Sequence, residues 1–262
     1  MMSWRKAVFG GLFFLSLMAS KSVAADTGQS CKDVTMDSDR FTVCKFSAED
    51  ADIRLFWGVG TTPYRHFEAL SKALEAQKKR LVFAMNAGMY HPDRSPVGLY
   101  VDQQGPRGKL QTNSSSGNFG MLPNGVFYKS ANGIAVRETK AFEAAAHSPE
   151  FATQSGPMLV IRNQLHPKFN KDSKSKRIRN GVGVSADGQT VYFAMSDRPV
   201  NFYRFASLFK DRLHTPNALY LDGVISRLFD ASSGRRDFGA AMGPIVAVVD
   251  SDELSVVSGD KE

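Results

Sequence analysis

Residues 179–195 read RNGVGVSADGQTVYFAM. Val182 and Val184 precede Asp187-Gly188, and Thr190, Val191, Tyr192 and Phe193 follow it. Two runs rich in β-branched and aromatic residues, parted by Asp-Gly, are a strong short-range hairpin signal. The stretch predicts strands over 181–185 and 190–194, paired antiparallel. A chain whose clearest local signal is a hairpin is not a strict β-α-β alternation, and the rest of the sequence agrees.

Outward from that hairpin, short apolar runs bounded by Gly, Asn and Pro predict further strands. They fall at 53–57, 81–85, 97–101, 126–129, 134–137, 158–161, 218–221, 227–229 and 245–249, behind a leading strand pair within 25–50. Three stretches carry helical spacing. Phe67, Leu70 and Leu74 share one face of a helix over 64–79. An Ala-rich helix covers 139–147, and 201–212 turns Phe202, Phe205, Leu208 and Phe209 inward. Many strands and few helices predict an α+β fold: a mixed, largely antiparallel sheet with a few flanking helices in a single domain. No internal repeat or linker divides it.

The N-terminus reads differently from the rest. Trp4-Arg5-Lys6 is basic, residues 7–19 are apolar, and Ser22-Val23-Ala24 places small residues before a cleavage point. That is a secretory signal over 1–24, too short in its apolar part to span a bilayer, and it predicts a periplasmic or secreted protein without a stable membrane span. Its removal takes away Arg5, Lys6 and Lys21 and no acid, lowering the formal charge from +7 to +4. So mild a balance gives no reason to expect a nucleic-acid partner. The organisation is then a leader at 1–24, a leading segment at 25–50, the main domain at 51–250 and a tail at 251–262. Cys31 and Cys44 are the two cysteines. In an exported chain a bridge between them is the simplest reading.

Four strand-end corners carry polar residues beside glycine: Asn86-Ala87-Gly88, Gln154-Ser155-Gly156, Arg179-Asn180-Gly181 and Asp222-Gly223. Glycine there allows close backbone approach to a ligand, and four such corners in one domain imply a shared cleft. Their residue types suit a sugar and a phosphate. Arg179 and Arg177, at the end of the basic run KDSKSKRIR (171–179), offer planar charged forks to phosphate oxygens. Asn86, Gln154 and Asn180 offer neutral hydrogen bonds to hydroxyls. Asp222 is the candidate base or nucleophile, with Asp93, Asp197 or Asp230 as a possible partner. Tyr90 and Phe119 read as core aromatics. There is no G-x-S-x-G elbow and no P-loop, so acyl-transfer and P-loop nucleotide chemistry have no support. The five histidines are isolated, and C-x-x-C, H-x-H and H-E-x-x-H are absent. Neither a metal nor a cofactor is expected.

NAGMY (86–90), SPVGLYV (95–101), GNFGMLPNGVFY (117–128), QSGPMLV (154–160), RNGVGV (179–184) and NALYLDGVIS (217–226) occur in this order. Together they resemble the phosphodiester glycosidase family, its bacterial exported members above all. The lysosomal enzyme that removes N-acetylglucosamine from a sugar-phosphate diester is a distant relative in that likeness, which covers roughly 50–250. The family's Asn-Gly-Gly corner falls on Asn86 and Gly88, with Ala87 between. Its Arg-x-x-x-Gly element falls on Arg179 and Gly183. Its Leu-Asp-Gly-Gly-x-Ser element falls on Leu221, Asp222, Gly223 and Ser226, with Val224 in place of the second glycine.

The resemblance implies cleavage of a sugar-1-phosphodiester at the anomeric carbon, through an oxocarbenium-like state. The expected partner is a phosphorylated or phosphodiester-linked glycan of the envelope or extracellular space. Arg179, helped by Arg177, would neutralise the phosphate. Asp222 would act as base or nucleophile, and Asn86 and Gln154 would hold the sugar. Asn180, Ser155, Gly156, Gly88, Gly223 and Ser226 complete the expected binding set. The competing expectation is a non-catalytic envelope protein that binds anionic glycan through the same arginine-lined cleft. Such a protein would tolerate loss of Asp222.

Overall fold

The computed structural model describes residues 31–145 and 148–251. The expected leader at 1–24, the last two residues of the helix expected over 139–147, and all but the first residue of the expected tail lie outside the described residues.

The Asp187-Gly188 hairpin lies at the middle of the largest sheet among the described residues. Asn180–Val184 and Thr190–Ser196 pair antiparallel, with Val182 opposite Phe193. Around them a seven-stranded sheet runs Cys31–Met36, Asp39–Ser47, Thr190–Ser196, Asn180–Val184, Asn217–Tyr220, Met158–Ile161 and Gln164–Leu165. The leading pair places Cys31 opposite Cys44, and the two form a disulfide. Closing a loop of that length contributes about 3 kcal/mol by chain entropy.

A second sheet orders Gly133–Glu138, Gly125–Ser130, Phe151–Ser155, Tyr100–Asp102 and Gly105–Arg107. A third orders Arg235–Arg236, Leu228–Asp230, Lys79–Asn86, Ile245–Ser251 and Asp52–Phe56. Every named strand pair is antiparallel. The inner faces of the three sheets meet in one aromatic cluster. Phe83 of the third sheet lies 5.1 Å from both Phe46 and Phe193 of the first, and Phe127 of the second lies 5.9 Å from Phe193. All four rings are buried. Each fully buried phenylalanine contributes about 1.5–3 kcal/mol, so this cluster is what locks the sheets to one another.

The helices cover outer faces. Phe67–Glu75 buries Phe67, Leu70 and Leu74 against the third sheet. It is shorter than the expected 64–79 because Arg65 and Lys78 take positive φ values of 65° and 55°, which no helix accommodates. The stretch expected as one helix over 201–212 divides into Phe202–Ser207 and a wider π turn, Leu208–Arg212. Asn201 caps it, its Oδ1 accepting from the Arg204 amide at 3.0 Å. Two strand expectations need correcting. The run at 97–101 is a strand only from Tyr100, because Leu99 spends its amide on the Gln154 side chain. Phe151–Ser155, absent from the expected strands, is a fully buried strand at the centre of the second sheet. Its half-polar composition hides it, since buried side-chain hydrogen bonds replace the usual apolar pattern.

Candidate active site

Three of the four expected corners meet in one hydrogen-bonded knot where the sheets converge, and the fourth reaches it through Ser155. Asn86 ends a strand of the third sheet, Asn180 begins one of the first, and Asp222 follows the neighbouring strand Asn217–Tyr220. Asn180 is the clasp. Its Nδ2 shares its two protons among Asn86 Oδ1 at 3.1 Å, the Asp222 carbonyl at 2.9 Å and Ser226 Oγ at 2.9 Å. Its Oδ1 accepts from the Asp222 amide at 3.2 Å. Asn86 Oδ1 also accepts from the Arg227 amide at 2.9 Å, which ties the strand that follows to the same knot. Ser155 reaches the knot from the second sheet, its Oγ donating to the Leu221 carbonyl at 2.7 Å.

The backbone is crowded here, and glycine permits it. A Cβ on Gly88 would lie 2.5 Å from Thr153 Oγ1 and 2.8 Å from the Gln154 carbonyl. A Cβ on Gly223 would lie 1.4 Å from Tyr220 Oη. Val224, where the family pattern has glycine, is 91% exposed and points its side chain away from this crowding.

Asp222 is buried, and loss of hydration pushes its carboxyl up to about 6, against hydrogen bonds from the Val224, Gly223 and Ile225 amides that pull it down. Val224 donates to Oδ1 at 3.0 Å. None of the expected acidic partners shares the site. Asp93 is held by Ser95, Asp197 pairs with Arg40 at 2.6 Å, and Asp230 is capped by Ser232 and Ser233. Among the described residues no second acid perturbs the Asp222 carboxyl.

Arg179 is deeper than a surface clamp would be. It is 1% exposed, with Nε on the Val200 carbonyl at 2.8 Å and Nη2 on the Ser175 carbonyl at 3.1 Å. Its guanidinium lies 3.5 Å above the Phe202 ring. Burial lowers its pKa, and the Tyr220 phenol counteracts that. Arg177 is exposed, and its guanidinium donates to the Lys176 carbonyl. It stands outside the knot, and only its charge reaches Arg179.

Among the described residues five buried side-chain polar atoms lack a hydrogen-bond partner. Three belong to this region: Asn86 Nδ2, Arg179 Nη1 and Tyr220 Oη. Orphaned polar atoms in a folded interior mark a place where a ligand or water completes the bonding. Tyr220 was not among the expected site residues, because a tyrosine inside the apolar run NALYL reads as core. Burial raises its phenol, and the charge of Asp222 raises it further. Tyr90, expected in the core, is half-buried, feels Asp222, and donates to the Ala241 carbonyl at 3.1 Å. Phe119 is buried as expected.

Gln154 was expected to hold a sugar, and the structure commits it elsewhere. Its Oε1 accepts from the Leu99 and Gln111 amides, and its Nε2 donates to the Gln111 carbonyl and Thr139 Oγ1. That uses its whole bonding capacity on the scaffold. Gly156 sits beside Asn124 and the Phe119 carbonyl in the same scaffold. No group of three or more His, Cys, Asp or Glu that could hold a metal occurs among the described residues.

A desolvated carboxylate, a buried guanidinium and unpartnered amide and phenol groups together make a candidate site whose chemistry suits a hydroxyl-rich, anionic ligand. The chain belongs to the phosphodiester glycosidase family, hydrolases acting on sugar phosphodiesters, with residues 79–241 matching that family. The Escherichia coli K12 protein YigE is 32% identical over 225 residues, 86% of this chain and 85% of that protein. Two solved structures share the fold. The zebrafish N-acetylglucosamine-1-phosphodiester alpha-N-acetylglucosaminidase catalytic domain has a TM-score of 0.56 at 14% identity, over 83% of this chain and 81% of that one. A Burkholderia pseudomallei K96243 protein assigned as exported has a TM-score of 0.50 at 11% identity, over 80% of this chain and 74% of that one.

Proposed function

We propose that the protein is an exported hydrolase that cleaves the glycosidic bond of a sugar-1-phosphodiester on envelope or extracellular glycans. It releases free sugar and a phosphomonoester. The observation that carries this reading is the buried Asp222 carboxyl, pushed up to about 6 beside three orphaned polar atoms. A general base works best when its pKa lies near the working pH, and burial has moved Asp222 toward that range. In the reaction Asp222 takes a proton from the water that adds to the anomeric carbon. The C–O bond to the phosphate breaks, and its electron pair leaves with the phosphate oxygen. Arg179 Nη1 and Tyr220 Oη donate toward the oxygens that gain charge. Asn86 Nδ2, its Oδ1 already fixed by Asn180 and Arg227, donates to a sugar hydroxyl.

Export rests on the leader read at 1–24, and the assignment of the Burkholderia protein as exported agrees with it. The zebrafish enzyme's name suggests the first substrate, an N-acetylglucosamine-1-phosphodiester. The test follows release of free N-acetylglucosamine by wild type, Asp222→Asn and Arg179→Ala. Release by wild type and its loss in both folded variants is the expected result. Unchanged release by Asp222→Asn would remove Asp222 from the chemistry. Binding of the diester without release by wild type would replace the hydrolase with a glycan-binding protein.

A further inference from the structure

A cavity of 410 Å³ opens between helix Phe67–Glu75 and strand Leu228–Asp230. Its apolar wall is Phe67, Phe229, Phe238 and Met242. Phe238 is 85% exposed, so its ring stands at the mouth of the cavity rather than in the core. The volume lies within the range of small-molecule sites.

Arg227 also lines this cavity. It is 6% exposed, yet its guanidinium makes no hydrogen bond or ion pair among the described residues. The acids around the cavity are all engaged. Glu68 pairs with Lys72 at 3.0 Å, and Glu75 accepts from Ser71 at 2.9 Å. Asp237 takes Arg235 through both oxygens, at 3.0 and 2.9 Å, and accepts from the Leu228 amide. Arg236 lies with its guanidinium 5.3 Å from the centre of the Phe229 ring, toward the outside. Asp237 is the acid whose charge Arg227 feels, but both its oxygens are taken by Arg235, so the guanidinium faces the cavity with N–H groups that the fold leaves without an acceptor. Gly239 makes room for it. Its φ is 130°, and a Cβ there would lie 2.6 Å from Arg227 Nη2.

The cavity adjoins the site already described through Arg227, whose side chain lines the one and whose backbone belongs to the other. The Arg227 amide donates to Asn86 Oδ1. The Tyr90 phenol is raised by burial and then by Asp222, and lowered by Arg94 and Arg227, so it feels the carboxylate and the guanidinium together. We propose that Arg227 and this cavity form the leaving-group subsite. Arg227 binds the phosphate, and Phe67, Phe229, Phe238 and Met242 hold an apolar alcohol esterified to it. The substrate class is then a glycosyl phosphodiester whose non-sugar half is an alkyl or aryl group. This rests on the phosphodiester hydrolase reading above, and it assigns that reading's other half.

Octyl phosphate and phenyl phosphate serve as probes, since each is the phosphomonoester that such a cleavage would release. Both should bind the wild-type protein by calorimetry and compete with N-acetylglucosamine-1-phosphodiester. Arg227→Gln should weaken binding of both at least tenfold, as loss of a desolvated charge contact does. Phe238→Ala, at an exposed position that folding does not depend on, should weaken the octyl probe about tenfold and inorganic phosphate little. Tighter octyl than phenyl binding points to a lipid-like alcohol, and the reverse to an aryl one. Failure of either probe to bind, binding without competition, or equal binding by wild type and both variants overturns the inference. The binding arm needs no turnover. Failure of the hydrolase reading therefore shows as absent sugar release with octyl phosphate still bound and Arg227-dependent.

Discussion

Two corners of this molecule look alike in sequence and differ in what they leave undone. Asn86-Ala87-Gly88 and Gln154-Ser155-Gly156 each pair an amide side chain with a glycine at a strand end. In the folded chain Gln154 spends all its donors and acceptors on the 97–111 segment and Thr139. Asn86 spends its Oδ1 on Asn180 and Arg227, and its Nδ2 has no partner. A saturated corner is scaffold, and a corner with a remainder is a site.

The sharpest way to break that comparison is at Asp222. Asp222→Asn keeps the shape and removes the proposed base, so sugar release should fall by about a thousandfold with a native thermal transition. Arg179→Ala should cost about a hundredfold in kcat, measured on the folded fraction, by removing a preorganised donor from the developing charge. The counterpart is Gln154→Leu. It orphans the Leu99 and Gln111 amides and should cost about 2–4 kcal/mol in urea unfolding, while kcat of the folded protein stays within about threefold. A large drop in kcat for Gln154→Leu at full stability would erase the distinction between the two corners.

The pH dependence separates the corners further. Asp222 has a folded pKa of about 6 against an ordinary 3.8, so the folded protein holds its proton more tightly than the unfolded chain. No cost falls on the fold below pH 3.8, and the cost grows to its full size above 6. At neutral pH it amounts to at most about 3 kcal/mol. Asp222→Asn should therefore be more stable than wild type at pH 7, with the gap closing between pH 6 and 4. Sugar release by wild type should decline as the pH falls through about 6, because the base becomes protonated. A rate that instead rises on acidification would make Asp222 an acid. The smallest effect is expected for Tyr220→Phe. Its hydroxyl has only a contact of poor geometry with the Arg179 guanidinium, so stability should move by less than about 1 kcal/mol while release slows several-fold.

Much of this was legible from local pattern. The Asp-Gly hairpin, the opposed cysteines and the amphipathic face of Phe67, Leu70 and Leu74 depend on neighbours a few residues away, and all stand as read. Arg179 was legible as important but not as buried. Its environment is made by Phe202 and Val200, more than twenty residues on. Tyr220 and Arg227 were not legible as site residues. One sits in an apolar strand and the other behind a serine, and only packing exposes their unpaired polar atoms.

The sequence by itself determined an antiparallel α+β protein, its leading hairpin, and the set of polar corners from which a site would be drawn. Periodicity and turn chemistry act over a handful of residues, and a single chain carries them in full. Tertiary structure alone decided which corners meet and which atoms remain unspent. Asn180 meets Asp222 across 42 residues, Asn86 meets Asn180 across 94, and Asn86 meets Arg227 across 141. Whether a polar atom is satisfied depends on those distant partners, because a buried hydrogen bond is closed by whatever the fold brings within 3 Å, not by what lies beside it in the chain.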